Sequence, residues 1–514
     1  MAHRYYWTFR HLKKIVLTTI NAKWIHPSLA LRLLKANLGS LEDSCQIIEF
    51  ALRQPLAEKL QPLLTCSPCI LGFSVSIWNH TATIELLKEL NKEWEKEQEQ
   101  KKPIIVLGGP EVSHLPQDAE IFEYADHVIR GEGEIAFKLL CEDILNGRLN
   151  SDKFITADNV DLSEIKSAYH LYTDEAGFQE TLSKKLIYVE ASRGCVFNCE
   201  FCLSAVKTKN LNKLSTDLRG FSQINNVKNE EIREFPLEPF LKDMDILIQR
   251  GVKTFKFLDR SINTNPKRTI QIINFFLNKI EKTSVFSVPP CPRVNSSPNI
   301  VVHFEMVPSI FPPDLCEALT RFPPGTLRLE IGIQTLNSEV AKRIGRFCNP
   351  EKELENLRFL REKTNAIIHA DLIAGLPGED LLSFGKGFDE LWQTVSVPAA
   401  EHHRIEIQLG ILKLLPGAPI NRHNEEFGMS YNPLPPYEVL ETSAMNTQDI
   451  QRIKNFARFW EMIINRGLIK LKSGEPVFEK FMALSDELYS KFGRNWGIDK
   501  NELLEAVISC KVFI

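Results

Sequence analysis

The chain has 514 residues, of which 43% are hydrophobic and 25% are charged, and its formal net charge is −4. This length predicts two or three domains, and the balanced composition excludes disordered and collagen-like proteins. The small net charge gives no reason to expect nucleic-acid binding. No apolar run approaches the roughly 18 residues of a membrane span, and the basic N-terminus lacks a signal-peptide core, so a cytoplasmic protein is expected.

Residues 1–150 predict an α/β domain with a doubly wound (Rossmann-like) parallel sheet, because short β-rich runs alternate with helical periodicity. The expected strands are residues 15–19, 46–50, 69–76, 103–107 and 127–129. Ligands of such sheets bind at the carboxyl ends of the strands. The Gly-rich turns after the fourth and fifth strands fall at that edge, and they contain Gly108, Gly109, Gly131 and Gly133.

Residues 180–415 predict a second α/β series, consistent with a full or partial (β/α)6 barrel. Its expected strands are residues 186–191, 254–258, 300–306, 326–333, 366–373 and 404–410. Two polar or proline-rich stretches, residues 207–233 and 283–299, interrupt the series as surface insertions.

Residues 430–514 predict a small, mainly helical module. Its aromatic residues Phe456, Phe459 and Trp460 have the spacing of one helix face, which is more typical of a core than of a substrate wall. His402, His403 and Arg404, at the start of the sixth barrel strand, are interpreted as exposed loop residues, although they could reach an active site.

Cysteine spacing is the most informative pattern in a chain whose eleven cysteines exclude a disulfide scaffold. Cys195, Cys199 and Cys202 form a C-x3-C-x2-C triad directly after a predicted strand. Three thiolates suit an iron–sulfur cluster with one iron left open. The alternatives are a zinc site, which normally needs a fourth ligand, and unligated core cysteines. Cys66 and Cys69 are interpreted as structural because they precede a buried strand.

A triad at this position is the signature of the radical S-adenosylmethionine enzymes, which the chain resembles, and the aromatic Phe201 also matches their pattern. The resemblance implies a [4Fe–4S] cluster whose open iron chelates S-adenosylmethionine. It further implies reductive cleavage to a 5′-deoxyadenosyl radical and an external electron donor of the flavodoxin or ferredoxin type.

The resemblance continues along the barrel to about residue 415. Asp259 and Arg260 replace the Gly-Gly-Glu that often holds the methionine amine in this family, so Asp259 is the candidate amine contact. The other positions that the resemblance assigns to S-adenosylmethionine are Glu305, Gln334, Gly375 and Pro377.

The N-terminal domain resembles that of the cobalamin-binding subgroup of the family. The resemblance implies that the glycine turns accept the flat corrin and that Ser74 and Ser76 bind its nucleotide tail. The Asp-x-His-x-x-Gly motif is absent, and His26, His80 and His114 are isolated, which implies cobalt without a His ligand. The alternative is a doubly wound domain that has lost the cofactor or binds another ligand.

Both cofactors together predict a methyltransferase acting on an unactivated carbon of a small-molecule or peptide substrate. A cobalamin-dependent rearrangement or cyclisation without methyl transfer is the first alternative. Methylthiolation of tRNA ranks lower, because Cys45, Cys66 and Cys69 are unsuitably placed for a second cluster and the C-terminal region predicts helices. A non-catalytic iron–sulfur sensor is the last alternative.

Overall fold

The computed structural model describes residues 14–96, 102–148, 152–172, 182–205, 232–285, 300–346, 349–396 and 405–510. The chain divides into two compact units. The N-terminal unit comprises Met1–Val189 and Phe235–Thr254, and the C-terminal unit comprises Glu190–Glu234 and Phe255–Ile514. His402, His403 and Arg404, and most of both predicted insertions, lie outside the described residues. Within the described ranges, no helix is both long and apolar enough to cross a membrane.

The N-terminal unit contains a six-stranded sheet of order β2-β1-β3-β4-β5-β6, in which every neighbouring pair is parallel. The strands are β1 (Ile15–Asn21), β2 (Cys45–Ala51), β3 (Ile70–Ser74), β4 (Ile104–Gly108), β5 (His127–Arg130) and β6 (Phe154–Thr156). The helices between them are α1 (Leu29–Ala36), α2 (Leu56–Cys66), α3 (His80–Lys96) and α4 (Gly133–Leu145).

The central strand β1 shows why this sheet is doubly wound. All seven of its residues are buried, and four of them belong to two hydrophobic clusters. Val16 and Ile20 pack in one cluster, whereas Ile15 and Leu17 pack in the other. Since successive strand residues point to opposite sides of a sheet, both sides of the sheet are covered. The predicted doubly wound domain is therefore confirmed, with a sixth strand that was too short to predict.

The second sheet has the order β14-β13-β12-β11-β10-β7, which follows the chain as expected for a partial (β/α)6 barrel. Its strands are β7 (Leu186–Val189), β10 (Thr254–Phe257), β11 (Val301–Met306), β12 (Leu327–Gln334), β13 (Ile367–Ala374) and β14 (Ile405–Ile411). A short antiparallel pair joins β8 (Ser192–Arg193) and β9 (Arg233–Glu234). The helices are α5 (Leu237–Gln249), α6 (Pro266–Val285), α7 (Pro313–Thr320), α8 (Ser338–Arg343), α9 (Pro350–Lys363) and α10 (Leu381–Ser396).

Strand β12 places polar groups on one side of this sheet. Leu327, Leu329, Ile331 and Ile333 are buried, and they alternate with Arg328, Glu330, Gly332 and Gln334. Strands β11 and β13 run parallel to β12 with Glu305 and His369 in register with Glu330. Barrel interiors are usually filled by bulky branched residues. Here the barrel instead carries a layer of polar side chains.

The C-terminal region contains a small hairpin and three helices, which confirms the mainly helical prediction. The elements are β15 (Ser430–Tyr431), β16 (Val439–Glu441), α11 (Thr447–Trp460), α12 (Phe478–Phe492) and α13 (Lys500–Ser509). Phe456, Phe459 and Trp460 are at most 1% exposed, so they form a core as expected. The Phe388 ring of α10 meets Trp460 edge-on, with ring centres 4.8 Å apart.

Candidate active site in the barrel

The predicted cysteine triad lies together on the wall of one cavity in the C-terminal unit. Cys195, Cys199 and Cys202 occupy the loop after β8, and the cavity has a volume of about 260 Å³. Among the described residues, no other cysteine lines it. The remaining lining residues are Phe197, Phe201, Ser204, Arg260, Glu305, Met306, Val307, Pro308, Glu330, Gly332, Gln334, Arg346 and Asp371.

Each of the three sulfurs has a polar neighbour. The backbone N–H of Ser204 donates to the Cys202 sulfur at 3.4 Å, and the Arg346 guanidinium donates to the Cys199 sulfur at 3.9 Å. The Cys195 sulfur lies 3.7 Å from the Ser261 hydroxyl oxygen. Burial raises the pKa of the Cys195 and Cys199 thiols. Because metal coordination holds such thiols as thiolates and these donors stabilise thiolate sulfur, the residues present fit a three-thiolate cluster site.

Glu200 anchors the cysteine loop, and sequence analysis missed it. Its carboxylate accepts hydrogen bonds from Nε of Arg422 at 2.9 Å and from Nη2 at 2.5 Å, and it contacts Nε2 of His423 at 2.9 Å. The backbone adds two bonds, from Glu200 N–H to Ile344 O and from Ile420 N–H to Glu200 O, both 3.0 Å long. The only sequence signal for this role was that Glu200 is a charged residue between two cysteines of the triad, because its partners Arg422 and His423 are distant in sequence.

Two carboxyl groups on the cavity wall have pKa values that are raised to about 7. Burial raises the pKa of Glu305 to about 7, with Arg260 opposing the shift from 3.9 Å away. Burial also raises the pKa of Asp371 to about 7, and the neighbouring Glu330 and Glu305 add to the shift. The Asp371 carboxylate makes no hydrogen bond or ion pair with the described residues, and it lines the cavity, where it can accept from a ligand. Asp371 is a charged residue among the apolar residues of a predicted strand, and this pattern was a usable sequence signal for a functional side chain.

Glu330 is the centre of the polar layer in the barrel. Lys256 donates to its carboxylate at 2.8 Å, and Nε2 of His303 lies 3.2 Å from the same oxygen. These two partners hold the pKa of Glu330 at about 2 despite burial. One ligand atom from each of His303, Glu330 and His369 lies within 4.8 Å of the others. Because the Lys256 ammonium already supplies a cation there, the layer is better described as a hydrogen-bonded network than as a metal site.

Asp259, the predicted contact of the methionine amine, is not among the residues that line the cavity. Its carboxylate is 2% exposed, and it accepts a hydrogen bond from Ala191 N–H at 3.0 Å and one from the Ser192 hydroxyl at 2.5 Å. Burial raises its pKa to about 6. Both oxygens therefore hold the chain just before the cysteine loop. Arg260, Glu305 and Gln334 do line the cavity as predicted.

Gly375 and Pro377 also lie away from this cavity. Gly375 has φ +83°, and an added Cβ would come within 2.5 Å of a Val439 methyl carbon. Glycine is required there because β16 approaches the chain closely. Pro377 accepts a hydrogen bond from Arg343 at 2.7 Å through its carbonyl oxygen. Their approach to the adenine stays a prediction.

In the N-terminal unit, the predicted residues collect at the carboxyl edge of the sheet. Ser74 ends β3, and its carbonyl accepts a hydrogen bond from Thr19 at 2.8 Å. The backbone N–H of Ser76 donates to the Asn79 amide oxygen at 2.8 Å. These bonds arrange the ends of β1 and β3. The edge is thus built by side chains at the positions expected for ligand binding.

The glycines of this edge allow close backbone contacts. Gly109 has φ +107°, and a Cβ there would lie 2.5 Å from Val75 O. Gly131 has φ +97°, and a Cβ would lie 2.5 Å from Ala157 O. At Gly108 the space is ordinary, whereas a Cβ at Gly133 would lie 3.3 Å from a Leu34 methyl. Gly109 and Gly131 therefore set the shape of the strand ends.

Two tryptophans make this edge suitable for a flat cofactor. Trp24 follows β1 and is 51% exposed, and Trp78 follows β3 and is 54% exposed. The Lys185 ammonium lies 4.2 Å from the centre of the Trp24 ring, so Trp78 offers the freer aromatic face. His26 bonds to the Tyr188 hydroxyl at 3.1 Å, and His80 bonds to Glu111 at 2.8 Å. The edge fits a corrin held by shape and ring contacts, with these two histidines engaged elsewhere.

Comparison with known families assigns both units. Residues 15–140 match the B12 binding domain, and residues 189–388 match the Radical SAM superfamily. The chain belongs to the cobalamin-binding radical S-adenosylmethionine enzymes. The cofactors of this radical enzyme are accordingly a [4Fe–4S] cluster, S-adenosylmethionine and cobalamin.

Curated relatives of this radical enzyme match over limited segments. An uncharacterized methyltransferase of Pyrococcus horikoshii is 28% identical over 186 residues, covering 33% of this chain and 36% of the relative. A tRNA-2-methylthio-N(6)-dimethylallyladenosine synthase of Fusobacterium nucleatum is 24% identical over 265 residues, covering 48% of this chain and 51% of the relative. The chain thus spans about a third to a half of these relatives.

Solved structures share the fold over longer stretches. The radical S-adenosylmethionine methyltransferase TsrM of Kitasatospora setae, with cobalamin and a [4Fe–4S] cluster bound, matches with a TM-score of 0.53 at 16% identity. That match covers 79% of this chain and 74% of TsrM. The cobalamin-dependent enzyme OxsB matches with a TM-score of 0.61 at 16% identity, covering 96% of this chain and 78% of OxsB. At these identities, the likeness concerns the fold.

Proposed function

We propose that this radical enzyme is a cobalamin-dependent methyltransferase acting on an unactivated carbon of a small-molecule or peptide substrate. The tandem order of the B12 binding domain and the Radical SAM domain carries the proposal, and the methyltransferase name of a relative supports it. When bound, S-adenosylmethionine supplies an adenosyl radical through the cluster, and cobalamin supplies the transferable methyl group. A flavodoxin or ferredoxin type of donor is the expected source of electrons.

The cysteine loop is assigned to the cluster. Cys195, Cys199 and Cys202 are the proposed thiolate ligands, and the absence of a fourth described cysteine in the cavity agrees with an open iron. Arg346 and the Ser204 N–H donate to ligand sulfurs and stabilise their negative charge. Together these groups orient the loop while leaving its cavity side free for a ligand.

The cavity wall is assigned to S-adenosylmethionine. Glu305 and Asp371 line it with pKa values of about 7, and a cationic group placed beside them would favour their ionised forms. Because the buried Asp259 carboxylate accepts hydrogen bonds from residues 191 and 192 and does not line the cavity, Glu305 replaces it as the proposed contact of the methionine amine. Phe201 and Met306 supply apolar surface that excludes water.

The sheet edge of the N-terminal unit is assigned to cobalamin. Ser74 and Ser76 are the proposed contacts of the nucleotide tail, and the turns at Gly108, Gly109, Gly131 and Gly133 shape the surface against which the corrin lies. The exposed ring of Trp78 supplies an apolar contact beside that surface.

The test is anaerobic reconstitution with cobalamin, iron and sulfide, followed by turnover with S-adenosylmethionine carrying a deuterated methyl group. We expect about four irons and one cobalt per chain and a product that carries the deuterated methyl on carbon. The Cys199→Ser variant tests the assignment of the cluster ligands. Its matched control is Cys316→Ser, whose cysteine lies on α7 and does not line the cavity. Only the first should lose iron and S-adenosylmethionine cleavage.

Other products would identify the alternatives. A changed substrate skeleton without deuterium would replace methyl transfer by a cobalamin-dependent rearrangement or cyclisation. Methylthiolated adenosine in tRNA would favour the activity named for the Fusobacterium nucleatum relative. The N-terminal cysteines speak against that activity, since Cys45 is buried at the start of β2 and Cys69 is exposed. No S-adenosylmethionine cleavage under reduction would leave the sensor hypothesis.

A further inference from the structure

A second cavity in the C-terminal unit shares a wall residue with the cysteine cavity. Its volume is about 640 Å³, which is within the range of roughly 300–1,000 Å³ for small-molecule sites. Phe201, which directly precedes Cys202, lines both cavities. The other lining residues are Ile373, Leu409, Gly410, Ile411, Leu412, Lys413, Leu415, Glu438, Lys454, Ala457, Arg458, Glu461 and Asn495.

Helix α11 presents a polar face to this cavity. Lys454, Ala457 and Arg458 of α11 lie at the spacing of one helix face, and Glu461, in the helical turn that continues α11, extends that face. The opposite positions, including Phe456, are buried in the module's core. The strand ends of β13 and β14 supply the apolar wall across from the helix. The cavity is therefore half apolar and half charged.

Among the described residues that line this cavity, one ammonium group has no ion-pair partner, that of Lys413, which lies opposite Glu438 in an antiparallel bridge. Lys454 pairs with Glu438 at 2.9 Å, and Glu461 accepts a hydrogen bond from Arg466 at 3.1 Å. Arg458 donates to the Asn495 carbonyl at 3.3 Å. Lys413 makes no ion pair or side-chain hydrogen bond with the described residues, although its side chain is half-buried. A half-buried cation is more stable beside an anion than alone.

We propose that this cavity is the substrate subsite and that the substrate has an apolar body and an anionic group that pairs with Lys413. The inference rests on the proposed function, because it takes the ligand to be the substrate. Apolar side chains of β14 would contact the body, and the shared Phe201 would bring it beside the cysteine cavity. Lys413, just after β14, and Arg458 of the C-terminal module would then select the substrate together.

Two fluorescent probes with the same ring system test the proposal by equilibrium dialysis against the anaerobic holoenzyme. The anionic probe is 8-anilinonaphthalene-1-sulfonate, and the uncharged probe is N-phenyl-1-naphthylamine. We expect Lys413→Gln to weaken binding of the sulfonate roughly fivefold and to leave the uncharged probe within about twofold. Lys413→Arg should bind both probes like the wild type.

The matched control is Lys472→Gln, which removes an exposed lysine that pairs with Glu475 and does not line the cavity. It should change neither probe. Ala457→Trp, which fills the cavity from α11, should weaken both probes. If Ala457→Trp does not fold, the Lys413 variants decide alone.

Equal binding of the sulfonate by wild type and Lys413→Gln would overturn the inference, as would weak sulfonate binding by the wild type itself. Probe binding requires no methyl transfer, so it separates the two proposals. A lost sulfonate site in Lys413→Gln together with a product that lacks deuterium would support the subsite and sink only the methyltransferase proposal.

Discussion

Glu200 binds Arg422, a residue 222 positions further along the chain, through a two-pronged contact between carboxylate and guanidinium. The Glu200 carboxylate is 11% exposed, whereas the Arg422 side chain is 61% exposed. His423 adds a third contact to the same carboxylate at 2.9 Å. Since Glu200 lies between Cys199 and Cys202, this contact fixes the loop that carries the proposed cluster ligands.

Replacement of Glu200 by Gln should loosen the cysteine loop. The amide keeps the shape but loses the charge, which costs about 1–2 kcal/mol for a partly exposed pair. We expect Glu200→Gln to lose iron faster than the wild type on brief exposure to air. Asp486→Asn is the matched control, because it breaks the similar Arg452–Asp486 pair between α11 and α12. Iron per chain measures both, and equal retention would contradict the anchoring role.

Loss of the Arg346 cation should lower the reduction potential of the cluster. Its guanidinium donates to the Cys199 sulfur at 3.9 Å and also to the Gly332 carbonyl on β12. A positive donor near a cluster sulfur favours the more negative, reduced state. Arg346→Gln should therefore shift the midpoint potential to more negative values, and Arg346→Lys should shift it less. A redox titration followed by electron paramagnetic resonance reports the potential, and an unchanged value in both variants would refute the prediction.

Asp371 should make stability depend on pH. Its pKa is raised to about 7 by burial and by Glu330 and Glu305, while Lys256 opposes the shift. The folded chain then binds this proton more tightly than the unfolded chain, so the stabilising contribution is full at about pH 4 and is lost as pH rises through about 7. Asp371→Asn should melt a few degrees above the wild type at pH 8 and at nearly the same temperature at pH 4. Thermal melts at both pH values test this, and a pH-independent difference would contradict it.

Gly109 should be required for cobalamin binding but not for the cluster. A Cβ at φ +107° would lie 2.5 Å from Val75 O, so Gly109→Ala would force the ends of β3 and β4 apart at a cost of about 1–3 kcal/mol. Gly147→Ala is the control, since Gly147 has φ +71° with nothing within 4 Å. Cobalt per chain should fall only in Gly109→Ala, with iron unchanged in both. Retained cobalt would remove this edge from the proposed corrin site.

Local sequence patterns were sufficient for the class of the fold. The β-rich run at residues 15–19 predicted a strand, and the period of the apolar residues separated strands from helices. The sixth strand, Phe154–Thr156, was missed because three partly exposed residues carry no periodic signal. The cysteine spacing predicted the chemistry because ligands close in sequence can reach one centre without any knowledge of the fold.

The sequence by itself thus determined the two α/β units, the cysteine triad and the family to which they point. Only the tertiary structure decided which side chains surround the triad. Arg346 and Arg422 approach the cysteine loop from distant segments, and Asp259 turns toward Ala191 and Ser192 instead of the cavity. The reason is physical: long-range contacts depend on how strands are ordered and where loops end, and residue spacing along one segment contains no information about either.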